Sequence, residues 1–133
     1  QMIGDPRYMS PEQLLDQDLT ELADMYAFGI LGYELYTGEG PYQAKTNTQW
    51  ITAHLSAEPR DLKQMRPDAD ASTSDLLKRC LKREPKHRPS AAKAASPPRG
   101  AAAAGPGVGR GLAHMRLRRL FRGMATRVLC LGR

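Results

Sequence analysis

The sequence contains little cysteine. Only Cys80 and Cys130 occur in 133 residues, and neither belongs to a Cys-x-x-Cys pair. Neither is spaced from His54, His87 or His114 in the way that is typical of a zinc site. A disulfide-stapled scaffold and a Cys/His metal site are therefore excluded. Two isolated cysteines favour a reducing, cytoplasmic compartment.

Long apolar runs and a secretion signal are also missing. No apolar stretch approaches the ~20 residues of a membrane-spanning helix, and no signal-peptide pattern opens the chain. Hydrophobic residues make up 41% and permit a core, although aromatic residues are sparse at 6%. Since the first residue is Gln1 rather than Met, we expect the sequence to begin inside a longer protein.

Acidic residues are absent from residues 96–133. That segment carries eight arginines and a net charge of +8, whereas residues 1–95 carry twelve basic and fourteen acidic residues, a net charge of −2. The basic character of the chain is therefore a property of its tail. We expect two parts, a globular domain over 1–95 and a low-complexity, Arg-rich tail over 96–133.

The tail is rich in Ala, Gly, Pro and Arg, a composition that cannot bury a core, and we interpret it as disordered. Out-of-frame translation of GC-rich codons would produce the same composition. A third hypothesis is a helix between Leu112 and Val128 that contacts nucleic acid or an anionic membrane. Because the arginines are not confined to one helix face, we favour disorder or a frame change over such contact.

Residues 24–36 predict a central helix. They are apolar almost all round, and only Glu34 interrupts them. A helix that is apolar on every face is expected to be buried on every face. Gly38 suits the left-handed conformation that ends a helix. The alternative is a buried strand, but the segment is long for a strand.

A short helix is predicted to start just before it in the sequence. Ser10 can cap this helix, Pro11 fits its first position, and Gln13 can reach back to the Ser10 amide. The alternative is an ordinary surface turn.

The other predicted elements follow from caps and apolar spacing. They are a helix over 48–55 capped by Asn47, a polar loop over 59–71, a helix opened by Ser72 and ended by Pro85, and a short helix from Ser90 to Ala95. In the Ser72 helix, the apolar face is formed by Leu76, Leu77, Cys80 and Leu81. Cys80 is therefore expected to be a packing residue rather than a reactive thiol.

Three short strings stand in a fixed order in this chain. They are Gly-Asp-Pro-Arg-Tyr-Met-Ser-Pro-Glu at 4–12, Asp-Met-Tyr-Ala-Phe-Gly at 24–29 and Cys-Leu-Lys-Arg-Glu-Pro-Lys-His-Arg-Pro at 80–89. Together they resemble the second half of a serine/threonine protein kinase catalytic domain, and Tyr-Met-Ser-Pro-Glu-Gln is especially similar to bacterial kinases. The resemblance covers 1–95. It implies a mainly α fold, a partial kinase C-lobe with the end of the activation segment and four to five helices.

The resemblance also assigns roles to residues of the first string. It implies a substrate-docking loop, the platform that receives the acceptor residue of a protein substrate, with Tyr8 lining its pocket. This loop consists of Gly4, Asp5, Pro6, Arg7 and Tyr8.

Three further residues resemble structural positions of the family. Glu12 and Arg88 resemble a buried pair that ties the activation segment to the later helices. From composition alone, the alternative is that both are solvated surface charges. Asp24 resembles the acid that anchors the catalytic loop. Because no catalytic loop occurs in this chain, Asp24 is expected to serve only as an acid near a helix N-terminus.

The motifs that carry kinase chemistry are missing. The chain has no kinase Gly-rich loop, no strand lysine, no His-Arg-Asp catalytic loop and no Asp-Phe-Gly metal site. We therefore expect no catalytic, cofactor-binding or metal-binding residue here, although the resemblance implies ATP and Mg²⁺ for a complete parent kinase. The implied partners are the missing N-terminal part of the kinase domain and a protein substrate.

One residue departs from the family pattern. The family usually has Thr after the glycine of the first string, whereas this chain has Asp5. In the family that threonine contacts the catalytic aspartate, so Asp5 would bring two carboxylates together unless the loop differs locally. Asp5 and the missing motifs leave an alternative open, a non-catalytic, pseudokinase-like interaction module.

The missing part of the domain also affects the central helix. In the family, part of the cover of this helix comes from segments that precede residue 1. We therefore expect some large apolar side chains of the helix to face water in this chain, namely Met25, Phe28, Tyr33 or their neighbours.

Overall fold

The computed structural model describes residues 4–95, and this part of the chain is helical, with no β-strand. It contains six α-helices and one 3₁₀ turn: α1 Pro11–Leu14, α2 Glu21–Thr37, α3 Asn47–Ser56, α4 Leu62–Met65, α5 Ala71–Cys80, the turn Pro85–His87 and α6 Ala91–Ala95. The mainly α expectation is confirmed. None of these helices is long and apolar enough to cross a membrane.

The chain divides into two compact units at Ser90. Helices α1 to α5 belong to the first unit and α6 to the second. The interpretations of the tail concern residues 96–133, which lie outside the described residues, so they stay predictions.

Local capping explains where α1 and α2 begin and end. The Ser10 hydroxyl accepts from the Gln13 amide at 3.4 Å while the Gln13 side chain accepts from the Ser10 amide at 2.9 Å, so the predicted capping box is confirmed. Helix α2 starts three residues before the predicted Asp24, because Thr20 caps it. It ends as predicted at Gly38, whose φ of 75° is left-handed.

Helix α2 packs closely against α5. A Cβ at Gly29 would lie 2.9 Å from Leu81 Cδ2, and one at Gly32 would collide with Leu77, so both glycines let the helices approach. Cys80 of α5 is fully buried in this contact, and burial raises the pKa of its thiol to about 12. The prediction that Cys80 is a packing residue is confirmed.

The other side of α2 is open. Leu31 and Leu35 are 38% and 64% exposed, so burial on every face, predicted from the apolar pattern, is wrong for this chain. The expectation that large apolar residues face water holds for these two neighbours. It does not hold for the three residues named first, since Met25, Phe28 and Tyr33 are at most 5% exposed.

Two predicted caps and one predicted loop are wrong. Helix α3 is capped by Thr46 rather than Asn47, and α5 by Asp70 rather than Ser72, because the Asp70 carboxylate accepts from the Thr73 amide at 2.8 Å. The predicted loop over 59–71 contains helix α4, whose Leu62 is fully buried. Four residues are too few to show a helical period in the sequence.

A buried ion pair joins the two ends of the first unit. Arg88 Nη1 and Nη2 lie 2.5 and 2.7 Å from the two carboxylate oxygens of Glu12, and both side chains are at most 3% exposed. The same guanidinium donates to the carbonyls of Leu22, Lys82 and Arg83 at 2.7–2.8 Å. All five of its N–H groups are therefore satisfied, which is the condition for keeping an arginine inside a fold.

Replacement of Arg88 by alanine should destabilise the chain strongly. It would leave the Glu12 carboxylate buried without its cation, at a cost of roughly 3–5 kcal/mol. Urea denaturation of the parent and the variant measures this difference. Lys86→Ala is the matched control, since Lys86 is exposed and its one ion pair among residues 4–95 is with exposed Glu84. Equal losses from both substitutions would contradict a structural role for the pair.

Acid should weaken the same pair. Burial alone would raise the pKa of Glu12, but the hydrogen bonds from Arg88 hold it below the ordinary value of 4.5. Folding thus lowers the pKa of this carboxyl group. Such a group stabilises the fold fully at pH values above its pKa in the unfolded chain, and it loses this contribution as the pH falls through its pKa in the folded chain. Urea denaturation at pH values between 7 and 3 should therefore show that the free energy of unfolding falls less with acid for Glu12→Gln than for the parent. Identical pH profiles would exclude this contribution.

Candidate functional site

The loop implied to dock substrate is a tight turn before α1. The Tyr8 amide donates to the Asp5 carbonyl at 3.1 Å, which closes the turn. Gly4 has a φ of 127°, and a Cβ there would lie 2.9 Å from the Met9 side chain, so only glycine fits without strain. The residues Gly4 to Tyr8 are called the docking loop below.

Within the docking loop, Asp5 and Arg7 neutralise each other. The Asp5 carboxylate accepts from the Arg7 amide at 3.0 Å and from the guanidinium at 2.5–3.1 Å. These hydrogen bonds hold the pKa of Asp5 below its ordinary value and raise the pKa of Arg7. Both side chains are about half exposed. The local partner of Asp5 was not predicted, although two residues of opposite charge spaced i, i+2 in a turn are a signal for it.

Tyr8 attaches the docking loop to the central helix. Its hydroxyl lies 3.0 Å from both carboxylate oxygens of Glu34 on α2 and donates to them. The hydrogen bond to Glu34 raises the pKa of Tyr8. Glu34 is the acid that interrupts the apolar pattern of α2, and this interruption was the sequence signal for its role.

His54 attaches the backbone of the docking loop to α3. Its Nε2 lies 3.1 Å from the Arg7 carbonyl oxygen, and its Nδ1 lies 2.8 Å from the Tyr26 hydroxyl. The ring is fully buried, and this burial lowers its pKa. The sequence assigned His54 no role and did not predict this contact.

The implied structural residues are placed differently from one another. Glu12 and Arg88 meet near the base of the loop, because α1 begins only two residues after the loop ends. Asp24 is exposed in the first turn of α2, and its carboxylate has no hydrogen-bond or ion-pair partner among residues 4–95. The loop and the Glu12–Arg88 pair are therefore neighbours, and Asp24 makes no hydrogen bond or ion pair with either of them.

Metal-binding chemistry has no evident place in the described part of the chain. Among residues 4–95, no three His, Cys, Asp or Glu side chains are grouped in a way that could hold a metal ion. What the site offers is a rigidly attached surface loop with a backbone turn, a compensated charge pair and a tyrosine hydroxyl.

Known proteins resemble this chain over the same region. A family model described as "Protein kinase domain" matches residues 1–98. Serine/threonine-protein kinase pkn3 of Myxococcus xanthus is 39% identical over 93 residues, which cover 68% of this chain and 17% of that protein. PkaA of Streptomyces coelicolor, another serine/threonine-protein kinase, is 37% identical over 92 residues, 68% of this chain and 16% of that protein.

A third relative matches a similar share of this chain and of its own length. Serine/threonine-protein kinase PrkC of Bacillus subtilis is 31% identical over 87 residues, which cover 65% of this chain and 13% of that protein. The chain thus spans less than a fifth of the length of these relatives. Since the family match covers most of the chain and these relatives are serine/threonine kinases, the chain belongs to the protein kinase domain family, among its serine/threonine kinases.

Proposed function

We propose that this chain is the substrate-docking part of a serine/threonine kinase catalytic domain. The parent reaction transfers the γ-phosphoryl group of ATP to a serine or threonine of a protein. The observation that carries the proposal is the attachment of the docking loop at two points, by Tyr8 to Glu34 and by the Arg7 carbonyl to His54. Helix α1, which follows the loop, is held in addition by the Glu12–Arg88 pair.

Such attachment suits the task of a substrate platform. Phosphoryl transfer depends on positioning and electrostatic stabilisation, so the surface that receives the acceptor residue has to be held in place. Asp5 and Arg7 are exposed on this surface, and the backbone beneath them is anchored. The chain supplies this positioning and no step of the phosphoryl transfer itself.

ATP and Mg²⁺ are assigned to residues outside this chain. The residues described here do not fit them, because they provide no grouped carboxylates for the metal and no kinase Gly-rich loop for the phosphates. The partners we propose are the preceding part of the kinase domain and a protein substrate.

The alternative of a non-catalytic, pseudokinase-like module is not favoured. It depended partly on the negative charge of Asp5, and Arg7 compensates that charge within the loop. The named relatives are serine/threonine kinases. The cytoplasmic location and any contact of the tail with nucleic acid or an anionic membrane stay predictions.

The chain alone should neither bind ATP–Mg²⁺ nor phosphorylate a protein. Catalysis by this family needs the phosphate- and metal-contacting motifs, and this sequence lacks them. Isothermal titration of the full 133-residue chain with ATP–Mg²⁺ is the measurement, with a complete serine/threonine kinase as positive control. Saturable binding in the micromolar range would overturn the proposal.

In the complete kinase, Tyr8→Phe should weaken the use of protein substrate specifically. The variant loses the hydrogen bond to Glu34, worth about 1.5–3 kcal/mol for a charged acceptor, so the KM for the protein should rise roughly 10- to 150-fold while the KM for ATP stays unchanged. Steady-state kinetics with each substrate varied separately gives both constants.

Tyr36→Phe is the matched control for this substitution. The Tyr36 hydroxyl is buried and has no hydrogen-bond partner among the described residues, so its removal should leave the KM for the protein unchanged. A rise in both KM values for Tyr8→Phe, or the same effect from Tyr36→Phe, would count against a docking role for the loop.

A further inference from the structure

The hydrogen bonds of His54 determine which of its nitrogens carries the proton. A carbonyl oxygen can only accept, so the Nε2 that lies 3.1 Å from the Arg7 oxygen has to be the N–H nitrogen. In the neutral ring Nδ1 is then an acceptor. The Tyr26 hydroxyl lies 2.8 Å from Nδ1 and 3.3 Å from the Tyr42 hydroxyl, and it donates its single proton to the nearer Nδ1. The neutral ring with its proton on Nε2 satisfies both contacts at once.

Aromatic rings hold this imidazole on three sides. Tyr26 and Tyr42 meet it edge-on, with ring centroids 5.6 and 5.1 Å away, and Trp50 of α3 stacks on it at 6.1 Å. No carboxylate of residues 4–95 lies within ion-pair distance of the ring. The orientation of the ring is therefore set by packing and by its two hydrogen bonds.

The contact with Arg7 is made to the backbone rather than to a side chain. The Arg7 guanidinium is engaged by Asp5, and the next residue, Tyr8, is bound through its side chain to α2. Two successive residues of the docking loop are thus attached to two different helices, Arg7 to α3 and Tyr8 to α2. Loss of the contact with His54 would free the backbone between Pro6 and Tyr8 while the Tyr8–Glu34 contact remained.

We propose that His54 is a positioning residue of the docking loop, whose Nε2–H fixes the Arg7 carbonyl and thereby couples the conformation of the loop to the position of α3. The name "docking" rests on the function proposed above, but the attachment of the Arg7 carbonyl to His54 does not depend on that function. It can be measured on the full chain without any kinase activity, so a failure of one proposal leaves the other to be judged separately.

Two substitutions by amide side chains test the roles of the two ring nitrogens separately. In His54→Gln the side-chain amide nitrogen can reach the position of Nε2 and still donate to Arg7. In His54→Asn the shorter amide reaches only the position of Nδ1, so the contact with Arg7 is lost while a polar group stays near Tyr26. The variants differ by one methylene and carry the same functional group, which makes each the control of the other.

Amide hydrogen exchange of the full chain, followed by NMR, is the test. The Arg7 and Tyr8 amides donate to Asp5 and report order in the loop, whereas the Leu81 amide donates to Leu77 and reports the helical core. In His54→Asn, exchange at Arg7 and Tyr8 should accelerate about tenfold, the effect of one lost hydrogen bond, with Leu81 unchanged. In His54→Gln, exchange at all three amides should stay near that of the parent.

Equal acceleration in both variants, or none in His54→Asn, would overturn the proposal. A measurement on the unsubstituted chain decides the question if the variants do not fold. ¹⁵N NMR of the His54 ring should show the proton on Nε2 and an unprotonated Nδ1 at neutral pH. The opposite tautomer could not donate to the Arg7 carbonyl and would exclude the attachment.

Discussion

The guanidinium of Arg88 is the interaction on which the rest of the first unit depends. A buried cation is tolerated only when its charge and all its N–H groups are compensated, and Arg88 achieves this with Glu12 and three carbonyls. These acceptors belong to α1, to the first turn of α2 and to the segment after α5. The ring of Tyr26 lies against the same guanidinium, with its centroid 4.9 Å away. One side chain therefore brings together elements that are far apart in the sequence.

The docking loop gains its order from this arrangement. It ends two residues before α1, so the Glu12–Arg88 pair fixes the helix from which the loop extends. Tyr8 and the Arg7 carbonyl then fix its path, through partners 26 and 47 residues away. A loop anchored at two points, next to a helix that is itself anchored, can present exposed groups at defined positions, as the proposed substrate platform requires. The compensation of Asp5 by Arg7 belongs to the loop alone and is independent of these anchors.

The sequence predicted those elements whose cause is local. The capping box of Ser10 and Gln13 and the left-handed stop at Gly38 depend on residues a few positions apart, and both were predicted correctly. Where several polar residues stand together, local rules are ambiguous, and Asp70 rather than Ser72 caps α5. Helix α4 was missed because a single turn shows no period, and what holds it is the burial of Leu62.

The sequence by itself determined the helical class and the family. Through the resemblance, it also pointed to Glu12 and Arg88 as the partners of a buried pair. Only the tertiary structure decided which groups hold the docking loop and which side of α2 is open. The role of His54 depends on a backbone carbonyl, and since every residue has a carbonyl, such a partner leaves no trace in the sequence. The exposure of Leu31 and Leu35 depends on which elements pack against α2, and an all-apolar pattern does not encode that choice.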